Sequence, residues 1–436
     1  MTLLRALLAA FLSLTLATAA AAQPRAPARD NMDAIARDYV RLVLELGERD
    51  EGYVDAYYGP PAWRTAARAN PRTLPQLAEA ARLLSRRLQA LRPPPATLAG
   101  RRQLFLSAQI NAAITRLRML QGERLSFREE ALGLYGVDPQ PRPLSEFDPV
   151  LARIERLVPG DGPLPQRVDA FMGRFVIPRD RLDAVMRAAI AECRRRTAAH
   201  IPLPRGEHFT LEFVTQRSWS GYNWYQGNYH SLIQVNTDQP VRMGRAIDLG
   251  CHEGYPGHHA YNMLLERNLA RGRGWVEYMV YPLYSPQSFI AEGSANYGVE
   301  LAFPGEERLA FERRVLYPLA GLPGGEADAY LRLQDVVEEL SGARIAIAAA
   351  YLDGRIDRAE AIRLTQRYSL VSESRARQSI AFTDQYRSYV INYGLGEELV
   401  GRFVEWGDAP LERRWRTMAR MLSEPFLPSA LQPVAR

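Results

Sequence analysis

Lysine is missing from this chain: all 55 basic residues are arginine. Set against 49 acidic residues they leave a formal charge of +6, which at first suggests nucleic acid. The arginines are scattered among acids and not gathered into a patch, so no nucleic-acid partner is expected and the excess reads as solvated helix faces. Cysteine is nearly absent as well. Cys193 and Cys251 are the only two, and neither lies at the end of the apolar N-terminal run, so a lipid-anchored form is not expected. In an oxidising compartment the two could pair, or each could stay an isolated buried thiol; spacing does not decide between these. Long apolar runs are missing beyond residue 22. Residues 1–22, MTLLRALLAAFLSLTLATAAAA, carry Arg5, a short apolar run and a closing alanine stretch. This is the pattern of a secretory signal peptide cut after Ala22, too short and too alanine-rich at its end for a membrane anchor. The mature protein is therefore expected to be soluble, periplasmic or secreted, with no membrane contact. There is no internal repeat.

What remains is ordinary globular composition, 47% hydrophobic and 24% charged, in a chain long enough to bury a large core. Helical periodicity dominates, as in 32–46, 74–91 and 103–120, where apolar residues recur three and four apart. Ser126 with Glu129, and Asp357 with Glu360, have capping-box spacing. Proline-rich breaks fall at 93–95, 138–149 and 159–165. The last divides an N-terminal helical region (23–160) from a catalytic region (161–436), the two expected to form one continuous domain. One segment departs from the helical pattern. Phe209–Val214 alternates, Ser231–Asn236 is rich in β-branched residues, and RSWSGYNWYQGNYH between them reads as a wide hairpin or paired strands. The fold class predicted is mainly α, with a small β-sheet beside the most unusual stretch of the sequence.

That stretch is CHEGYPGHHAY, residues 251–261, which holds three of the six histidines. His252-Glu253 opens as zinc hydrolases open their metal helix, a ligand followed directly by a base. The usual second histidine comes four residues on; here His258 and His259 come six and seven residues on. On a regular helix the first of these faces elsewhere and the second lies about 10.5 Å along the axis. Pro256, however, cannot donate to the turn before it, and Gly257 tolerates the dihedrals a repair requires. A bulged or unwound turn would swing a later histidine back. Zinc with two histidines commonly takes a carboxylate as third ligand, and Glu292 in FIAEGSANYGVEL is the best candidate. Asn296, one turn later on the same face, could steady a ligand imidazole. Glu253 would act as general base. Any one of these residues alone is more often plain surface or core; the conjunction is what points to a metal.

HEGYPGHH with the later EGSANY resembles the bacterial family called domain of unknown function 885, whose hallmark is HExxPGHH followed by EGWALY-like text. ALGLYGVDP, LPRGEHFTLEFV and the Tyr-Gly segment near the C-terminus are also similar, so the resemblance covers most of the mature chain. It implies a large helical zincin-like metallohydrolase, with layout akin to helical carboxypeptidases and oligopeptidases. It further implies His252, His258 and Glu292 as Zn2+ ligands and Glu253 as base, preferring His258 to His259. This chain departs from the family in carrying Ser294 and Asn296 where tryptophan and leucine are usual, which bears on local packing and the substrate pocket.

A zinc peptidase also needs a donor for the developing oxyanion. FTDQYRSYVINYGLGEELV offers Tyr386, Arg387, Tyr389 and Tyr393. Tyr393 precedes a glycine pair resembling the family's closing Tyr-x-x-Gly, and Arg387 could hold a substrate carboxylate. The expected activity is zinc-dependent hydrolysis of short peptides. Hydrolysis of other amides or esters, and a non-catalytic periplasmic metal-binding protein, are the alternatives.

Overall fold

The computed structural model describes residues 31–431; the expected signal peptide, residues 1–22, lies outside them. The fold is mainly α, 66% helical, with little sheet. Local sequence explains many helix starts. Thr73 and Gln76 form a reciprocal capping box ahead of Leu74–Ala90, and Ser126 and Glu129 form another ahead of Phe127–Tyr135. At Asp357 only half of the expected box forms: its side chain accepts from the Glu360 N–H.

The strands are β1 (Val54–Tyr57), β2 (His208–Val214), β3 (Gly221–Gly227), β4 (His230–Asn236) and β5 (Val280–Pro282). β2, β4 and β3 form a sheet in that order, β2 parallel to β4 and β3 antiparallel to it. The two runs that look like strands in sequence therefore do pair, in parallel, and the stretch between them supplies a third strand. Asn228 and Tyr229, both at positive φ (55° and 60°), make the tight turn from β3 to β4.

Nothing separates the molecule at residue 160. β1 pairs with β5, joining the N-terminal region to the segment that leads into the Glu292 helix (Pro286–Ala302). Arg102 reaches Glu277 at 2.5 Å in a buried ion pair that also draws in Asp33. One hydrophobic core runs through both regions, from Ile35 and Leu42 to Ile391 and Met418. The CHEGYPGHHAY stretch and the Glu292 helix lie within it.

Candidate metal centre

The helix Met243–Leu249 leads into a π-helical turn, Gly250–Gly254, and a new helix, His258–Leu265, begins after Pro256-Gly257. The Gly257 N–H donates to the carbonyl of Cys251 at 3.0 Å. A Cβ at Gly257 would fall 1.8 Å from the His252 carbonyl oxygen and 2.4 Å from that of Cys251, so only glycine fits. The chain folds back onto the turn carrying His252, and this brings the His258 ring opposite it. The two imidazoles are perpendicular with centroids 4.6 Å apart. A disulfide between Cys193 and Cys251 fastens the π-turn to the helix Leu182–His200, so the only two cysteines do meet.

Glu292 completes the group. Its Oε2 lies 3.3 Å from His252 Nε2 and its Oε1 3.5 Å from His258 Nε2. One donor atom from each of the three residues lies within 4.8 Å of the others. Burial alone would raise the pKa of Glu292, but His258 and His252 hold its carboxyl well below the usual carboxylate range. Burial works against a charged His258, and the Glu292 carboxylate outweighs it and raises that imidazole. His259, one residue on, points the other way. It is fully buried, with Nδ1 2.7 Å from Ser231 Oγ and Nε2 3.2 Å from Glu207 Oε2.

The supporting contacts are specific. His252 Nδ1 lies 2.8 Å from Asn296 Oδ1; an N–H donated there leaves the Nε2 lone pair for a cation. Tyr389 donates its phenol to Glu292 Oε1 at 2.8 Å. Glu253 is buried, which raises its carboxyl. Asn223 of β3 donates to the Glu253 backbone carbonyl at 2.6 Å. A Cβ on Gly221 would stand 2.8 Å from Glu253 Oε1, so that glycine keeps room for the carboxylate.

All of these residues border one cavity of about 1980 Å³, whose wall includes His252, Glu253, His258, Glu292, Tyr222 and Tyr393. The Tyr393 phenol makes no hydrogen bond among the described residues, and burial first, then Glu292, raises it far above the ordinary range. Two residues that sequence reasoning missed also belong here. Asp55 of β1 accepts from the Tyr222 phenol. Burial, then Glu292 and Glu253, push its carboxyl up to about 8. Arg344 borders the same cavity. Neither lies in a recognisable motif, and only the fold brings them to the histidines.

Arg387 requires a correction. It does not border the cavity; its Nε donates to Glu130 at 2.7 Å. The N–H and hydroxyl of Ser388 donate to the same carboxylate at 3.0 and 2.7 Å. Glu130 is 1% exposed, and a buried carboxylate needs such a counter-charge. Arg387 is thus tied up in structure. His230, on β4, stacks on His208 with ring centroids 4.3 Å apart and lies 3.1 Å from Thr210 Oγ1. Of the aromatic strand residues, Tyr222 and Trp224 border the cavity, whereas Tyr225 is buried and donates to Glu266.

No family model matches the chain, and no curated protein matches it. A similar fold occurs in the crystal structure of the "putative lipoprotein from Colwellia psychrerythraea", at a TM-score of 0.51 and 14% identity. The match covers 81% of this chain but only 65% of that one. At that identity the likeness concerns the fold alone.

The residues fit a divalent metal on their own chemistry. Two imidazole nitrogens and a carboxylate are a common catalytic donor set for zinc. Glu292 Oε2 is buried without a hydrogen-bond partner. A buried, unsatisfied carboxylate oxygen is costly, and a cation at the centre of the three donors would satisfy it.

Proposed function

We propose that this chain is an exported zinc-dependent hydrolase of short peptides. Glu292, whose Oε2 lacks a hydrogen-bond partner and whose carboxylate faces both the His252 ring, oriented by Asn296, and the His258 ring, carries the reading. Zinc there would be held by His252, His258 and Glu292, and when bound it supplies Lewis acidity that polarises a carbonyl and acidifies water.

The chain's own residues account for the rest. Glu253 takes a proton at its carboxylate and delivers it to the leaving amine. Its burial raises its pKa, towards the range where a base is most effective near neutrality. Tyr393 offers an uncommitted phenol O–H to the oxygen on which negative charge develops, a contact worth about 10²–10³ in rate when well placed. Tyr389 holds the Glu292 carboxylate in place. Trp219 to Trp224, along β3 and its approach, border the cavity and present backbone and rings to an extended peptide. Export is supported by the apolar first 22 residues, by the Cys193–Cys251 disulfide, and by the neighbour's description as a lipoprotein.

The test is elemental analysis of purified residues 23–436, followed by incubation with a defined peptide mixture and mass spectrometry of the products. About one zinc per chain and new peptide termini are expected, with turnover abolished by a chelator and restored by zinc. Metal-free protein that stays inert when zinc is added would refute the proposal.

A further inference from the structure

Most arginines around the cavity are neutralised. Arg116 pairs with Asp50, Arg308 with Asp248 and Glu312, Arg402 with Glu398 and Arg414 with Glu405. Arg344, on the helix Ser341–Leu352, is different. Its side chain makes no hydrogen bond or ion pair among the described residues, and its Nε is closed to solvent with no partner. Two aromatic rings hold it: its guanidinium carbon lies 5.3 Å from the Phe382 centroid and 5.9 Å from that of Tyr393. A guanidinium held by rings keeps its N–H edge available for a planar, two-oxygen acceptor. Among the described residues Arg142 and Arg375 also lack an ion pair, but neither lies against Phe382 or Tyr393.

We propose that Arg344 is the receptor for a substrate carboxylate, making the cavity selective for peptides that present one near the scissile bond. The proposal rests on the peptide-hydrolase reading above and names the substrate class for it. Tyr393 connects the two sites: its ring touches Arg344, and its phenol lies within electrostatic reach of both Glu292 and Glu253. Arg344 and the candidate metal donors therefore border the same cavity, with Tyr393 lining it beside Arg344. Burial disfavours the charge on Arg344, and Glu338, the carboxylate acting on it, forms no ion pair with it. An arginine stays protonated regardless, so a partly buried cation is left without compensation. An incoming carboxylate offsets that cost, whereas an amide does not. The carboxylate has two possible sources, the free C-terminus of a peptide or an Asp or Glu side chain, and both offer the same two oxygens.

The experiment measures binding without turnover, by calorimetry on the zinc-loaded Glu253→Gln protein with and without Arg344→Gln. The probes are acetyl-Ala-Ala-Ala, its C-terminal amide, and the amide of acetyl-Ala-Glu-Ala. The free acid is expected to bind roughly ten- to a hundredfold more tightly than its amide, the range for hydrogen bonds to charged groups. Arg344→Gln should erase that difference and leave the affinity of the amide unchanged, which also shows the cavity to be intact. If the glutamate peptide binds as tightly as the free acid, a side-chain carboxylate serves equally. Equal binding of all three probes, or a preference that survives Arg344→Gln, overturns the proposal. Turnover by the unmutated protein is assayed in parallel. Its absence beside a preserved carboxylate preference would refute the peptidase reading and leave the role of Arg344 standing.

Discussion

His258 and His259 show how much one residue of helix rotation decides. A step of about 100° sends one ring towards Glu292 and the other into the core. There it meets Ser231 and Glu207, the latter from the LPRGEHF stretch. The sequence pattern made His258 the preferred ligand through family resemblance; the geometry adds a reason, since His259 is already committed at both nitrogens. Asn296 is the informative neighbour. It was legible as a residue one turn from Glu292, and its amide oxygen sits 2.8 Å from His252 Nδ1. Leucine at that position could not accept that N–H. Asn296→Leu is therefore expected to weaken zinc binding by roughly ten- to a hundredfold, as losing such an orienting partner does. Competition against a chelator would measure it, and unchanged affinity would remove Asn296 from the site.

At the scale of elements, the distortion around Pro256-Gly257 was legible because proline and glycine have few structural meanings. The π-turn and the Cys193–Cys251 link to the helix Leu182–His200 were not, since spacing alone cannot say which helices touch. In the chain-entropy description that cross-link, spanning 58 residues, stabilises the fold by about 4 kcal/mol. The parallel pairing of β2 with β4 was hidden for a related reason: strand propensity locates strands but not their partners. The Glu292 helix meets the helix Gly394–Val404 through Gly293 and Gly396, where a Cβ on Gly293 would stand 2.6 Å from the Gly396 carbonyl carbon. This contact brings the Tyr393 segment to Glu292. The tightest backbone contact is at Gly257. Gly257→Ala should force the turn open, lowering the melting temperature and zinc occupancy together. A variant that melts normally and keeps its zinc would show that the two histidines do not depend on that fold-back.

Across the whole molecule, the mainly helical class and the approach of His258 to His252 could be read locally, because each depends on spacing within a short segment. Arg387, Asp55 and Arg344 could not. Arg387 looked available until Glu130, 257 residues away in sequence, was seen to hold it. Asp55 and Arg344 reach the cavity only because the N-terminal region and the later helices share one core. The same core encloses Glu253, and on that residue the account depends most. The direct measurement is kcat on a cleavable peptide for Glu253→Gln beside the unmutated protein, with zinc content determined on the same samples. The account predicts about one zinc per chain in both and a kcat lowered by 10² or more in the variant, the scale of general-base catalysis. Full activity in Glu253→Gln at equal zinc content would contradict it.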